Sequence, residues 1–297
     1  MQTDDMTTQG SEQIAVATGV DGGEPPSGAD SEIALAFPTG RDAAAIYLIS
    51  GILLIFLGSR FQGEHLLFGL VVSEIMFVSS PALLYTLASR HGLRETFHLN
   101  PISLKTAGLS ILIACPAFVA MNIAALAQEW LFPRSAIYQQ YWETFFAQFQ
   151  QFPFVVAIAM IAALPGICEE LLFRGFLLRG MRRQLPAPAA VALTGLLFGA
   201  FHLDPYRFLP TSLLGMLFGC MVIRTGSILP GMIAHAANNT IALTLSMTLY
   251  ELRDLPSMPD ETLLTWRHLL AAVPTAALAG WLVWRGLRAL PPQPAES

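Results

Sequence analysis

The sequence predicts an all-α, polytopic membrane protein of about eight transmembrane helices with a catalytic cavity inside the helix bundle. Three observations carry this. Of 297 residues, 54% are hydrophobic and only 12% are charged, about half the charged share of a soluble domain. The charges fall in short clusters between long apolar runs. Eight such runs follow one another, several of them near the roughly 20 residues that a bilayer requires. A water-soluble enzyme and a wholly disordered chain are both excluded by this pattern.

Residues 1–42 carry eight acids against the single base Arg41, and they are rich in Gly, Ser, Thr and Pro. Without apolar periodicity such a segment cannot offset its chain entropy, so it reads as a disordered acidic cytoplasmic tail. It has no basic region followed by an apolar stretch, so no cleaved signal peptide is expected. The apolar runs span approximately 43–58, 65–88, 106–127, 154–178, 187–203, 208–223, 228–249 and 268–284. The division expected is 43–153 for the first helices and a loop, 154–249 for the core, and 250–297 for a loop, the last helix and a short tail. In the loop 129–153, Trp130, Tyr138, Tyr141 and Trp142 read as an interfacial aromatic segment. Cys115, Cys168 and Cys220 all lie in apolar runs, where they read as packing residues.

Alternate loops differ in charge. One side receives Arg41, Arg90, Arg94, Lys105, Arg179, Arg182, Arg183, Arg224, Arg285 and Arg288, and the other receives Arg60, Arg134, Arg207, Arg253 and Arg267. The excess of basic residues marks the first side as cytoplasmic, with both termini there. The cavity is expected to open to that side. The Ala-, Arg- and Pro-rich composition points to a bacterial inner membrane. No basic face suits nucleic acid, so the partners expected are the bilayer and a membrane-embedded or lipid-anchored protein or peptide.

Ionisable groups within a membrane cost of order 3 kcal/mol each and are functional candidates by default. Glu74 stands alone in the second run, with no partner legible in the sequence. The fourth run holds Glu169, Glu170 and Arg174. Adjacent helical residues point about 100° apart, so the two glutamates have different tasks. Glu170 and Arg174 are spaced i,i+4 in the favourable order for a structural ion pair. Glu169 has Phe173 in the equivalent place and no local cation, which makes its desolvated carboxylate the better proton acceptor.

His202 follows Phe198 by one turn, and His235 precedes Asn239 by one turn. At about 1.5 Å per residue, Glu169 lies about 15 Å from Arg179, His202 about 22 Å from Ala187, His235 about 12 Å and Asn239 about 18 Å from Ser227. Three helices can thus deliver a glutamate, two histidines and an asparagine to one layer. Each residue also has a plain structural reading, such as a helix-to-helix hydrogen bond for a lone histidine. Asn238, turned about 100° from Asn239, reads as structural.

At these residues the chain resembles the CPBP intramembrane glutamic endopeptidases, a family that includes the CAAX prenyl proteases and bacteriocin-immunity relatives. The motifs are Glu169-Glu170-Leu-Leu-Phe-Arg174, Phe198-Gly-Ala-Phe-His202 and His235-Ala-Ala-Asn-Asn239, in order, each within an apolar run. The resemblance implies proteolysis without a metal, a cofactor or a covalent nucleophile. It makes Glu169 the general base, assisted by His202, with His235 and Asn239 holding the oxyanion. Glu170 and Arg174 hold the geometry, and Phe198 walls the cavity. Two other classes stay open on the residues alone. Glu169, His202 and His235 are adequate zinc ligands, and buried Glu and His also serve proton relays in transporters.

Overall fold

The computed structural model describes residues 37–252 and 266–292. Residues 1–36, the loop carrying Arg253, and the last five residues lie outside the described residues, so most of the acidic tail does too. Among the described residues the elements are helices: α1 (Gly40–Glu64), α2 (Leu66–Ala88), α3 (Leu93–Thr96), α4 (Leu104–Leu131), α5 (Ala136–Phe149), α6 (Phe154–Arg182), α7 (Ala187–Phe201), α8 (Phe208–Thr225), α9 (Leu229–Leu252) and α10 (Trp266–Ala289). Each of the eight apolar runs is helical. Five helices (α1, α2, α4, α6 and α8) are long and apolar enough to cross a membrane, and α7 is apolar but shorter. The aromatic loop is itself largely a helix, α5.

The helix ends follow local chemistry. Thr39 and Asp42 form a capping box at the start of α1, and Ser103 and Ser135 cap α4 and α5 with their hydroxyls, each satisfying a backbone N–H that the first turn leaves open. Gly226 ends α8 in the left-handed region at φ 66°. The folded chain begins earlier than the predicted tail boundary at residue 42. Phe37 stacks on His91 with ring centroids 4.1 Å apart, and Arg183 donates to the carbonyls of Pro38 at 2.9 Å and Phe37 at 3.2 Å. These partners lie far along the chain, so local composition could not reveal them.

Inter-loop contacts sort the turns into two ends. At one end Arg183 meets residues 37–38, Asn100 donates to the Gly226 carbonyl at 2.7 Å, and Arg224 donates to the Leu290 and Arg288 carbonyls. At the other end Gln128 donates to the Pro205 carbonyl at 2.5 Å and Arg207 lies over the Trp142 ring. The first is the arginine-rich end, as the alternate-loop count expects.

Burial is inverted relative to a soluble bundle. Leu48, Ile52, Phe56, Phe68, Leu84 and Leu112 are exposed, whereas Ser50, Ser73, Thr86, Ser110, Glu170, Arg174 and Thr194 are buried. Aliphatic faces gain nothing from each other over lipid, so the interior is built from close packing and polar contacts. The main aromatic core joins Phe97, Phe173, Phe176, Phe198 and Phe201 from α6, α7 and the loop after α3. A second cluster packs α4, α8, α9 and α10 around Ile113, Phe218, Met221 and Ala234.

Helices α7 and α8 pack through Gly195, Gly199 and Gly215, two of them in a small-xxx-small spacing that lets backbones approach. A Cβ at residue 199 would lie 2.6 Å from the Phe208 carbonyl oxygen, and one at 195 would lie 2.9 Å from that of Ser212. Backbone atoms cannot step aside singly. Gly199→Val is therefore expected to destabilise the protein by about 1–3 kcal/mol, read as a lowered Tm in detergent, while the same change at Gly108, which has open space around it, leaves Tm nearly unchanged.

Candidate active site

Helix α6 supplies the centre of the site, and its shape follows from its sequence. Pro165 has no N–H and its ring crowds the carbonyl four residues earlier, that of Ile161. The helix widens into a π stretch at Ala159–Ala163, and the Asn239 side-chain amide of α9 donates to the Ile161 carbonyl at 3.3 Å. At the next residue, Gly166, a Cβ would stand 3.1 Å from the Ala236 nitrogen and 3.2 Å from the Met232 oxygen. Proline and glycine together thus bring α9 against α6, with His235 beside the two glutamates.

Glu170 and Arg174 are fully buried. Arg174 Nη1 donates to Glu170 Oε1 at 2.7 Å and Nη2 donates to the Gly215 carbonyl at 2.9 Å. The guanidinium lies 4.4 Å from the Phe198 ring centre and 5.3 Å from that of Phe218, both within cation–π range. The predicted ion pair is therefore present, and it reaches further than spacing could tell. His235 Nδ1 stands 3.1 Å from Glu170 Oε1. The carboxylate paired with Arg174 accepts, so Nδ1 carries the proton of that bond. This turns Nε2 toward Glu169 Oε2, 3.7 Å away. The imidazole stacks on Phe218 at 5.1 Å and meets the Phe198 ring edge-on at 5.8 Å.

His202 ends α7. Its Nδ1 lies 2.9 Å from the Phe198 carbonyl oxygen, which only accepts, so Nδ1–H is the donor and Nε2 of the neutral ring is an acceptor. The turn that follows is fixed from outside the core. Tyr138 of α5 donates to Asp204 at 2.7 Å, Asp204 accepts from the Tyr206 backbone at 2.9 Å, and the Tyr138 and Tyr206 rings lie 4.5 Å apart. Burial, aided by the Asp204 carboxylate, holds the Tyr138 phenol above the usual tyrosine range, so it remains a donor at all ordinary pH.

A cavity of about 370 Å³ is lined by Glu74, Glu169, His202, Ser59, Gln62 and Ser73 among apolar residues that include Leu54, Leu70 and Phe201. Glu169 and His202 thus share a cavity, and His235 touches Glu169 from behind. Asn239 is not among the lining residues and instead satisfies Ile161. Phe198 packs behind the histidines, so it is Phe201 that walls the cavity. Glu74, which had no legible partner, enters the same cavity from α2. Its signal in the sequence was simply an acid where an acid is costly. Among the described residues no group of three or more His, Cys, Asp or Glu side chains is arranged to hold a metal ion.

The lining comes from the later half of α1, the first part of α2, the end of α7 and, through Glu169, the middle of α6. This half of the bundle is remote from the arginine-rich end. The expectation is of a cavity opening to the basic side; His202, one of its lining residues, lies a whole helix length from Ala187 at that side.

The ion pair yields a stability test. Arg174→Ala leaves the Glu170 carboxylate buried and uncompensated, and is expected to cost about 3–5 kcal/mol. Thermal unfolding in detergent measures this. Replacing both partners by apolar residues, Glu170→Leu with Arg174→Met, should recover part of the loss.

Residues 150–241 match the family model for Rce1-like type II CAAX prenyl endopeptidases, the same family grouping that the three motifs resemble. The matched stretch contains Glu169, Glu170, Arg174, Phe198, His202, His235 and Asn239, but not Glu74. The match supports a CAAX-type intramembrane protease, a hydrolase acting at a membrane. No curated protein and no solved structure matches the chain.

Proposed function

We propose that the protein is a glutamate-dependent intramembrane endopeptidase that cuts a membrane-associated protein or peptide. The observation that carries this reading is the shared cavity of Glu169 and His202, backed by His235 on a fully buried Glu170–Arg174 pair. Glu169 accepts a proton from a water whose other hydrogen is held by His202 Nε2. The water oxygen attacks the scissile carbonyl carbon and the carbonyl π pair moves to its oxygen. His235 Nε2 lies 3.7 Å from the Glu169 carboxylate, and closing to hydrogen-bond range lets it receive that proton and then donate to the oxyanion. Asn239, outside the cavity lining and bonded to the Ile161 carbonyl, holds α9 against α6 so that His235 keeps its place. One oxyanion donor is typically worth about 3 kcal/mol of transition-state stabilisation. Collapse of the intermediate breaks the C–N bond, and the proton returns through Glu169 to the leaving nitrogen.

The arginine-rich end faces the cytoplasm in this reading, by the bias of the basic loops. The substrate segment then reaches Glu169 from the opposite half of the bilayer. Residues 37–39 and the loops after α6 and α8 lie on the cytoplasmic side, and α5 lies at the far interface.

Two outcomes are expected. Glu169→Gln, which keeps size and hydrogen-bonding capacity, should abolish cleavage with little change in Tm. Mass spectrometry of new peptide termini in membranes carrying wild type or Glu169→Gln at equal levels measures it, and identical profiles would refute the protease reading. For orientation, a membrane-impermeant maleimide applied to intact cells should label Gln139→Cys and spare Gln184→Cys in a background free of native cysteines. The reverse pattern would invert the assignment.

A further inference from the structure

We propose that Glu74 is a substrate-selecting residue whose carboxylate binds a lysine or arginine side chain next to the bond being cut. The inference rests on the protease reading above and assigns it a substrate chemistry. Glu74 is the second residue of a π stretch, Ser73–Ser79, in α2. The widened turn is held by side chains: Ser79 Oγ donates to the Glu74 and Ile75 carbonyls at 3.2 and 3.1 Å, and Ser80 Oγ donates to that of Ile75 at 2.5 Å. Such single-turn insertions commonly mark functional positions, and this one sets the acid on the cavity wall beside Ser73.

The acid is unsatisfied within the protein. Glu74 Oε2 is sealed from solvent and has no hydrogen-bond partner among the described residues. The side-chain amide that lines the same cavity, Gln62 Nε2, is engaged by Ser73 Oγ at 3.0 Å. A buried polar oxygen left without a donor is a standing cost, and an ionised one costs far more. The missing donor is one that arrives with the ligand.

Its charge follows from the lining. Two acids, Glu74 and Glu169, line the cavity, and among the described residues no lysine or arginine lines it. The remaining wall is chiefly Leu54, Ile55, Leu70, Val78, Phe201 and Leu203, so the field of the acids is weakly screened. An acidic side chain is repelled there, a neutral one leaves the charge of Glu74 uncompensated, and a cation satisfies it, which is discrimination by both attraction and rejection. The cavity volume of about 370 Å³ falls within the usual range of ligand pockets, roughly 300–1,000 Å³.

Binding and cleavage separate this inference from the reading beneath it. Purified Glu169→Gln protein, which cannot consume the probe, is titrated with the capped tripeptides Ac-Leu-Arg-Leu-NH2 and Ac-Leu-Gln-Leu-NH2. The arginine peptide should bind at least tenfold more tightly. Adding Glu74→Gln should erase the preference, and adding Glu74→Asp should keep it in weaker form, with Tm of each protein recording that it is folded. In the membranes used for terminus profiling, the wild-type cuts should be enriched in flanking Lys or Arg. Equal binding of the two peptides, or a preference that survives Glu74→Gln, would overturn the role of Glu74. An absence of wild-type cuts, with the peptide preference intact, would overturn the protease reading and leave Glu74 as a cation site.

Discussion

The buried network of Glu170, Arg174 and His235 is the constraint on which the rest of the structure depends. A lone charge inside a membrane protein is expensive, and an ion pair holds there only when its remaining donors and acceptors are also met. Here one guanidinium nitrogen meets Glu170, another meets the Gly215 carbonyl of α8, and two phenyl rings cover its faces. His235 of α9 meets the same carboxylate oxygen, Oε1, as Arg174 does, while Oε2 has no hydrogen-bond partner among the described residues. One arginine and one glutamate thereby fix three helices. The close backbone approaches at Gly166 and Gly215 follow from this, because short side-chain reaches across helices leave no room for Cβ atoms.

With that network in place, the irregularities of α6 become intelligible. The helix bears π stretches at Ala159–Ala163 and Leu171–Leu177, on either side of the glutamate pair. The first accompanies Pro165, whose missing N–H leaves the Ile161 carbonyl for Asn239. The second lies beneath Arg174. Glu170 is consumed by the network while Glu169, about 100° around the helix, is left facing the cavity. The two adjacent acids therefore differ in environment because the helix directs one to Arg174 and the other to the cavity wall.

The sequence disclosed those parts of the site that depend on spacing within one helix. The i,i+4 relations of Glu170 with Arg174, of Phe198 with His202 and of His235 with Asn239 are local, and helical geometry alone places their members on one face. What it hid depends on partners distant in the chain. Glu74 shares a cavity with Glu169 only because α2 packs beside α6, Phe37 is held by His91 and Arg183, and Asn239 answers a proline more than 70 residues away. The depth of His202 was harder to read for a different reason. The helical rise gave each residue a depth, yet the 22 Å from Ala187 to His202 already spans most of a bilayer. That distance put His202 near the far surface rather than beneath the near one.

The position of His202 shows how far the site extends beyond its reacting groups. Leu203, the next residue, has φ 53°, an uncommon conformation for a branched side chain, so the turn needs support. That support comes from α5, whose Tyr138 bonds Asp204 and whose Trp142 carries the Arg207 guanidinium 5.1 Å from its ring centre. Gln128 at the end of α4 adds a bond to Pro205 and accepts one from the Leu209 backbone. An aromatic helix of the kind that settles at a membrane interface thus clamps the turn beside a cavity histidine. The α5 segment is outside the three motifs, yet the geometry of the second motif depends on its being docked.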